Sequence, residues 1–134
     1  EIGSGLVGSE MCIRDRARKA LGKTEKESLL RSKSHVTAKD VFDAYKEKDA
    51  LAQEIVDEFA EYLGRALAVF ACVADPDVIV LGGGVSKAGQ VLVDCVEKYY
   101  QKYAFSACKA TPIKLATLGN DAGICGAAKL ILSR

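Results

Sequence analysis

Residues 78–84 constrain the fold more than any other stretch of this chain. Four apolar and mostly β-branched residues, Val78 to Leu81, are followed at once by three glycines, Gly82 to Gly84. A short apolar run of this kind predicts a strand of a parallel sheet, buried on both faces. The glycines predict a turn whose backbone can adopt positive φ and can approach a ligand closely. We therefore predict a strand, a turn and then a helix, with Ser86 as the candidate N-cap of that helix.

The glycine turn alone leaves two interpretations open. Its spacing fits neither the dinucleotide fingerprint G-x-G-x-x-G nor a Walker A loop, since no Gly-Lys-Ser/Thr closes it. The turn is therefore either a corner on which a nucleotide rests or a plain tight turn between a strand and a helix.

Composition and charge are typical of a globular protein of one domain. The 134 residues are 49% apolar and 28% charged, with a formal net charge of +1. Residues 1–35 carry eight Lys/Arg and five Asp/Glu, whereas residues 36–134 carry eleven and thirteen. The slightly acidic main part argues against a nucleic-acid surface. The sequence has no apolar run of about 18 residues, which argues against a membrane span.

The cysteines and the histidine predict neither a metal site nor a disulfide framework. Five cysteines are spread along the chain without a C-x-x-C pair, and His35 has no partner at metal-ligand spacing. Reduced thiols within apolar patterns behave as small hydrophobic groups. Because such thiols persist in a reducing compartment, we expect a cytoplasmic protein.

The first sixteen residues differ from the rest of the chain. Residues 5–16 show no clear helical or strand period, and they resemble the translation of a transposon adapter used in sequencing libraries. A signal peptide is the alternative, but the acidic and glycine-broken start argues against it. We therefore expect residues 1–16 to be a disordered artefact, with the true N-terminal part of the protein missing.

Residues 17–33 predict a helix and then a loop, and two helices with recognisable N-caps are predicted between this stretch and the glycine turn. Thr37 and Asp40 have the spacing of a capping box at the start of the first helix. Asp49 is the predicted N-cap of a longer helix that ends at Ala74, because the next residue precedes a proline. The second half of this helix, residues 66–74, is apolar on all sides, so we expect it to be buried between other layers.

A second strand and a last helix complete the pattern. Residues 87–103 predict a helix and residues 113–118 a second strand, after which Asn120 or Asp121 would cap a last helix to about Leu132. This order gives a right-handed βαβ unit with a helix after it. The turns that follow the two strands then lie at the same carboxyl edge of a parallel sheet.

Five motifs in this order resemble the C-terminal end of the ROK family of sugar kinases, and among its members the bacterial glucokinases. They are residues 36–44, 62–68, the run Leu-Gly-Gly-Gly-Val-Ser-Lys-Ala-Gly at 81–89, residues 103–105 and residues 115–128. The resemblance implies an α/β fold of the actin-like, ribonuclease-H-like ATPase type. Residues 17–134 would then be the C-terminal portion of the large lobe, an incomplete domain with helices and a βαβα unit of two parallel strands.

The resemblance also implies a nucleotide site at the two turns. The glycines and the residue after them would lie against the adenosine of ATP, where the bare backbone leaves room for purine and ribose: Gly82, Gly83, Gly84 and Val85. The second turn would face the same crevice with Asn120, Asp121 and Ala122.

Several family motifs are absent from this sequence. Members of the family carry an Asp-x-Gly-Gly-Thr phosphate loop, a Glu-x-Gly-His sugar-binding segment and a cysteine-rich zinc loop nearer the N-terminus, and none of these occurs here. Phosphoryl transfer needs a positioned base and metal-held phosphates. We therefore expect a fragment that is inactive alone. Its parent would bind ATP with Mg²⁺ and a hexose, hold structural zinc in the upstream part, and form a homodimer, as the family suggests.

Three functions stay open at this point. The first is an ATP-dependent glucokinase, or another ROK kinase that acts on fructose or N-acetylmannosamine. The second is the sugar-sensing end of a ROK transcriptional repressor, whose helix-turn-helix would lie upstream. Such repressors often lose the nucleotide glycines, so the intact turn with Asn120 and Asp121 favours a kinase. The third is an interaction module without a ligand.

Overall fold

The computed structural model describes residues 9–24, 27–117, 128–129 and 131–132. Within these residues the secondary structure consists of α1 (Ser9–Lys23), α2 (Ala38–Lys46), α3 (Ala50–Ala74), β1 (Ile79–Leu81), α4 (Gln90–Tyr103) and β2 (Ile113–Leu115). Short 3-10 turns occur at Leu29–Ser32, Gly84–Ala88 and Ser106–Cys108. Positions 128–129 and 131–132 are helical, in the region where the sequence predicts the last helix.

The two strands form a parallel pair with α4 as their crossover. Ile79 lies opposite Ile113, and Leu81 lies opposite Leu115. The amide of Ile79 donates to the carbonyl of Pro112 at 2.9 Å, which fixes this register from the first residue of the pair. The predicted α/β class with two parallel strands is therefore confirmed.

The core is centred on the packing of α3 against α4. Gly64 lies where the two helices approach most tightly, because a Cβ at this position would come within 2.8 Å of the Cβ of Tyr99 and 2.9 Å of the amide nitrogen of Tyr100. Tyr100 is fully buried, and its hydroxyl donates to the carbonyl of Cys108 at 2.6 Å. The same core contains large buried side chains from each of α1 to α4: Ile13, Phe42, Leu51, Val56, Phe59, Leu92 and Val96.

The predicted N-caps of α2 and α3 are both present. The hydroxyl of Thr37 accepts from the amide of Asp40 at 3.2 Å, and the amide of Thr37 donates to the Asp40 carboxylate at 3.0 Å, which completes the capping box of α2. The Asp49 carboxylate accepts from the amide of Ala52 at 2.9 Å and caps α3. Asp75 ends α3 in a left-handed conformation with φ 42°, since the helical region is disfavoured before Pro76.

The first helix differs from the sequence-based expectation. Residues 9–16, expected to be disordered, form the first half of α1, and Ile13 and Ala17 are fully buried. These two side chains are four residues apart and therefore lie on the same face of the helix. Two apolar residues in a mostly polar segment are too few to reveal a helical period in the sequence. Arg16 pairs with Glu58 of α3 at 3.3 Å. The adapter origin of residues 1–16 stays a prediction.

Two expectations of deep burial are wrong. The second half of α3 exposes Val69, Phe70 and Val73, and β1 buries only one face because Val80 is exposed while Leu81 is buried. Among the described residues, β1 pairs with β2 and no further strand joins the sheet. The apolar residues of β1 and of the second half of α3 are therefore typical of elements covered on both sides, and the described residues cover only one side.

We predict that Gly64→Ala lowers the free energy of unfolding by about 1–3 kcal/mol, because the new methyl group must push α3 and α4 apart. The matched control is Gly22→Ala in α1, where a Cβ would meet none of the described atoms within 4 Å. Alanine at position 22 should leave stability unchanged or raise it by up to about 1 kcal/mol. Urea denaturation of the three proteins measures both effects, and equal effects of the two substitutions would contradict this packing.

A second prediction concerns the pH dependence of the capping box. The hydrogen bonds from Thr37, with help from Lys33 at 3.3 Å, lower the pKa of Asp40 below its ordinary value of 3.8. A lowered pKa means that the carboxylate stabilises the fold above pH 3.8 and that this contribution is lost as pH falls through the folded-state pKa. Asp40→Asn should therefore reduce stability by about 1 kcal/mol at neutral pH, and the difference should vanish in acid.

The control for this prediction is Asp43→Asn in the same helix, whose carboxylate makes an exposed pair with Lys46 at 3.8 Å. Its effect should stay below about 0.5 kcal/mol at every pH. A loss at Asp40 that is the same at neutral and acidic pH would exclude the carboxylate as its cause.

Candidate nucleotide-binding site

The carboxyl ends of the two strands lie side by side. Leu81 is opposite Leu115, and the amide of Ala116 donates to the carbonyl of Leu81 at 2.8 Å, which extends the ladder by one residue. A Cβ at Gly82 would lie 3.4 Å from the Cβ of Ala116. The two segments that follow the strands therefore leave from the same edge of the sheet, as the βαβ pattern predicts.

The glycine turn presents bare backbone at this edge. Gly83 has φ 79° and ψ −166°, a conformation that is essentially restricted to glycine. Within the described part of the chain, a Cβ at Gly83 would meet no atom within 4 Å, and both Gly82 and Gly83 are exposed. The turn is thus open from the solvent side, and a flat ligand could contact its peptide planes directly.

Ser86 closes the turn rather than capping a helix. Its hydroxyl donates to the carbonyl of Gly83 at 2.7 Å, and its amide donates to the same oxygen at 3.2 Å. The 3-10 turn Gly84–Ala88 follows, and α4 begins only after Gly89, which has φ 76°. The prediction of Ser86 as helix N-cap is therefore wrong, because a second glycine turn separates it from α4.

Val85 holds the turn on the core. Its side chain is only 3% exposed, and that of Ala88, one 3-10 turn later, is 8% exposed. Both belong to the main hydrophobic core, and the 3-10 turn packs against α2. Because the side chain of Val85 lies in the core, a ligand would meet only its backbone, and its contact with adenosine stays a prediction.

The predicted residues of the second turn, Asn120, Asp121 and Ala122, lie outside the described residues. The described chain reaches Thr117, two residues beyond β2, at the edge that carries Gly82. Their contact with a nucleotide stays a prediction.

The described part of the site is an open shelf rather than a closed pocket. A concave pocket of about 340 Å³ lies elsewhere, between α1 and the segment that leads into α2, and Arg14, Arg18 and His35 are among its lining residues. Over residues 9–24, 27–117, 128–129 and 131–132, no cluster of three or more His, Cys, Asp or Glu could hold a metal ion. No helix in the same ranges is long and apolar enough to cross a membrane.

Curated proteins with similar sequences include sugar kinases. The chain is 44% identical over 97 residues to a glucokinase from Halalkalibacterium halodurans, an alignment that covers 72% of this chain and 29% of that protein. It is 32% identical over 127 residues to an N-acetyl-D-glucosamine kinase from Histophilus somni, which covers 95% and 36%. The chain thus spans about a third of the length of these relatives.

Solved structures give the same fold. A candidate sugar kinase from Cytophaga hutchinsonii superimposes with a TM-score of 0.80 at 29% identity, covering 92% of this chain and 42% of the other. A ROK family glucokinase from Streptomyces griseus, solved with glucose and AMPPNP, gives 0.72 at 26% identity, with 90% and 40% covered. A ROK family transcriptional regulator, a homologue of the E. coli MLC protein, gives 0.65 at 20% identity, with 78% and 27% covered, and shows likeness of fold alone.

The family comparison agrees with these matches. The model of the ROK family matches residues 6–134, which is nearly the whole sequence. The resemblance drawn from the sequence motifs is therefore confirmed, and so is the fold class that it implies. This chain belongs to the ROK family.

Proposed function

We propose that this chain is the C-terminal part of an ATP-dependent glucokinase and that it supplies the adenosine-binding edge of the cleft. The observation that carries the proposal is the open glycine turn beside the end of β2. Gly82 and Gly83 are exposed at an edge of a parallel sheet, and ligands of open α/β sheets bind outside the carboxyl ends of the strands.

The conformation of the turn explains only one of its three glycines. Among the described glycines, positive φ occurs at Gly83 and Gly89, so backbone strain gives no reason for glycine at positions 82 and 84. A methyl group at Gly82 would make an ordinary contact with Ala116 at 3.4 Å. A plain turn would therefore tolerate a side chain there. The absence of a side chain at Gly82 is explained if a ligand needs the space above this backbone. This explanation favours a nucleotide-binding turn over a plain turn.

The proposed substrate follows from the relatives. The most similar curated relative given above is a glucokinase, and the S. griseus structure holds glucose with AMPPNP, so we assign glucose to the parent protein and ATP as phosphoryl donor. N-acetyl-D-glucosamine is the alternative hexose, given the kinases that match at lower identity. In this assignment the residues of the present chain bind and orient adenosine. The catalytic base and the groups that hold Mg²⁺ and the phosphates belong to the missing upstream part, in a cytoplasmic enzyme.

A transcriptional repressor of the same family is the second candidate. The fold likeness to the ROK regulator is compatible with either function, because both classes share this architecture. The glycine at position 82, which the turn does not require, supports the kinase. A regulator without nucleotide would have no use for clearance at this edge.

The first test is a nuclear magnetic resonance titration of the 134-residue chain with adenosine and, separately, with tripolyphosphate. We expect adenosine to shift the amide signals of Gly82, Gly83 and Gly84 with an affinity of about millimolar, since half a cleft retains few contacts. Gly82→Val should abolish these shifts, and Gly22→Ala should leave them intact. Shifts caused by tripolyphosphate alone, or confined to the Arg14 and Arg18 pocket, would contradict the adenosine shelf.

The second test is enzymatic. In a coupled assay with ATP, Mg²⁺ and glucose, the chain alone should form no glucose 6-phosphate, because the family's phosphate loop and sugar-binding segment are absent from its sequence. Formation of glucose 6-phosphate that requires the chain and is lost in Gly82→Val would show that the chain contains its own catalytic base. That result would contradict the assignment of the catalytic base to another part of the parent protein.

A further inference from the structure

Two cysteines that are far apart in the sequence lie on segments that pack against each other. Cys72 is in the last turn of α3, and Cys108 ends the 3-10 turn Ser106–Cys108 between α4 and β2. The helix α3 packs against this 3-10 turn. Cys72 is exposed, Cys108 is buried, and both are free thiols. Because thiols are readily oxidised, two neighbouring ones are a candidate site of covalent modification.

The packing of α3 on α4 directs the end of α3 toward the segment that carries Cys108. Asp57 pairs with Lys98 at 3.8 Å, and one helical turn later Glu61 accepts a hydrogen bond from the hydroxyl of Tyr103. The Arg65 guanidinium lies 4.6 Å from the centre of the same tyrosine ring. Contacts thus advance along both helices together, so the two helices run in the same direction. The part of α3 after Arg65 therefore extends past the end of α4.

Cys72 lies on the side of α3 that faces the end of α4. It follows Arg65 by two helical turns and shares its helix face. Arg65, Cys72 and Tyr103 line the same groove, which has a volume of about 370 Å³. A groove of this size admits a molecule as small as hydrogen peroxide. A small oxidant can therefore reach the Cys72 sulfur.

The partner cysteine is held in place by its backbone. The carbonyl of Cys108 accepts from the buried Tyr100 hydroxyl at 2.6 Å, and its amide donates to the carbonyl of Phe105 at 2.9 Å. Burial raises the pKa of the Cys108 thiol, and the neighbouring groups of Cys72 and Asp75 raise it further. These two neighbours belong to the end of α3, in agreement with the helix packing. A buried thiol with a raised pKa stays protonated and reacts slowly by itself.

We propose that Cys72 and Cys108 form an oxidation site at which a peroxide produces an internal disulfide bond. The exposed Cys72 is the thiol that the peroxide oxidises, and the buried Cys108 is the thiol that then closes the bond. Both are free in the structure, so this is a bond that forms on oxidation and not a permanent structural disulfide. The site is separate from the glycine turn and does not rest on the proposed function.

The reaction balances with one molecule of hydrogen peroxide as oxidant. The Cys72 sulfur, having lost its proton to water, attacks a peroxide oxygen and the O–O bond breaks. The hydroxide that leaves takes up a proton, which gives a sulfenic acid and one molecule of water. The Cys108 sulfur then attacks the Cys72 sulfur, and its proton passes to the hydroxyl that leaves. The S–S bond forms, the S–O bond breaks, and a second water is released. The two sulfurs lose two electrons, which the peroxide accepts.

The disulfide would join the two segments that lead into the sheet. The chain passes from Cys72 to β1 and from Cys108 to β2 within a few residues. The strand pair begins where the amide of Ile79 donates to the carbonyl of Pro112. A covalent bond ahead of both strands restrains the unfolded chain and should stabilise the pairing of the strands at its amino end. The glycine turn lies at the opposite edge.

The experiment treats the 134-residue chain with hydrogen peroxide, blocks the remaining thiols by alkylation and maps the cysteines by mass spectrometry. We expect a disulfide between the peptides that contain Cys72 and Cys108, which dithiothreitol reverses. The urea midpoint of the oxidised chain should be about 1–2 M higher than that of the reduced chain. Cys72→Ser should abolish the bond and the shift. The matched control is Cys12→Ser, at a partly buried cysteine of α1, and it should leave both unchanged.

A second variant separates the two steps of the reaction. Cys108→Ala removes the closing thiol, so Cys72 should stop at the sulfenic acid, which dimedone labels. Because Cys72 is exposed, Cys72→Ser keeps the test valid if alanine at the buried position prevents folding. Dimedone labelling of Cys72 in the unsubstituted chain without a bond to Cys108 would overturn the proposal. A disulfide of Cys72 with another cysteine, or with Cys72 of a second chain, would overturn it as well.

Discussion

The parallel pairing of β1 with β2 is the constraint on which the candidate site depends. Each strand has only three residues, yet the bonds from Ile79 to Pro112 and from Ala116 to Leu81 fix their register at both ends. That register places the glycine turn after β1 beside residues 116–117, which follow β2. The 3-10 turn after the glycines is anchored to the core, because the side chains of Val85 and Ala88 are buried there. A rigid support under a bare backbone is what a shelf for a flat ligand requires.

The same pairing also shows what the fold lacks. The buried face of the sheet is formed by Leu81 and Ile113. Val80 faces solvent, and so do Val69, Phe70 and Val73 in the second half of α3. A chain of 134 residues with 49% apolar composition can bury a modest core, and this one does so around Tyr100. The apolar residues beyond that core fit the family membership, since the matched region covers only 29% to 42% of the relatives and solved structures described above.

Local signals in the sequence predicted local structure well. The capping box at Thr37 and the stop before Pro76 depend on neighbouring residues, and both occur as predicted. Burial depends on distant partners and was predicted less well: residues 66–74 and Val80 are apolar, but no described element covers Phe70, Val73 or Val80. The prediction for Ser86 is wrong because a serine that follows glycines can either cap a helix or hydrogen-bond within the turn. The positive φ at Gly89, which separates Ser86 from α4, is visible only in the structure.

The central claim is that purine rests on the peptide planes of Gly82 and Gly83. Photolabelling of the 134-residue chain with 8-azidoadenosine, followed by peptide mapping, tests it most directly. We expect adducts on the peptide segments 82–89 and 116–122, which follow β1 and β2 in the sequence, and loss of these adducts with excess adenosine. Adducts confined to residues 14–37, or spread along the chain and insensitive to adenosine, would contradict it.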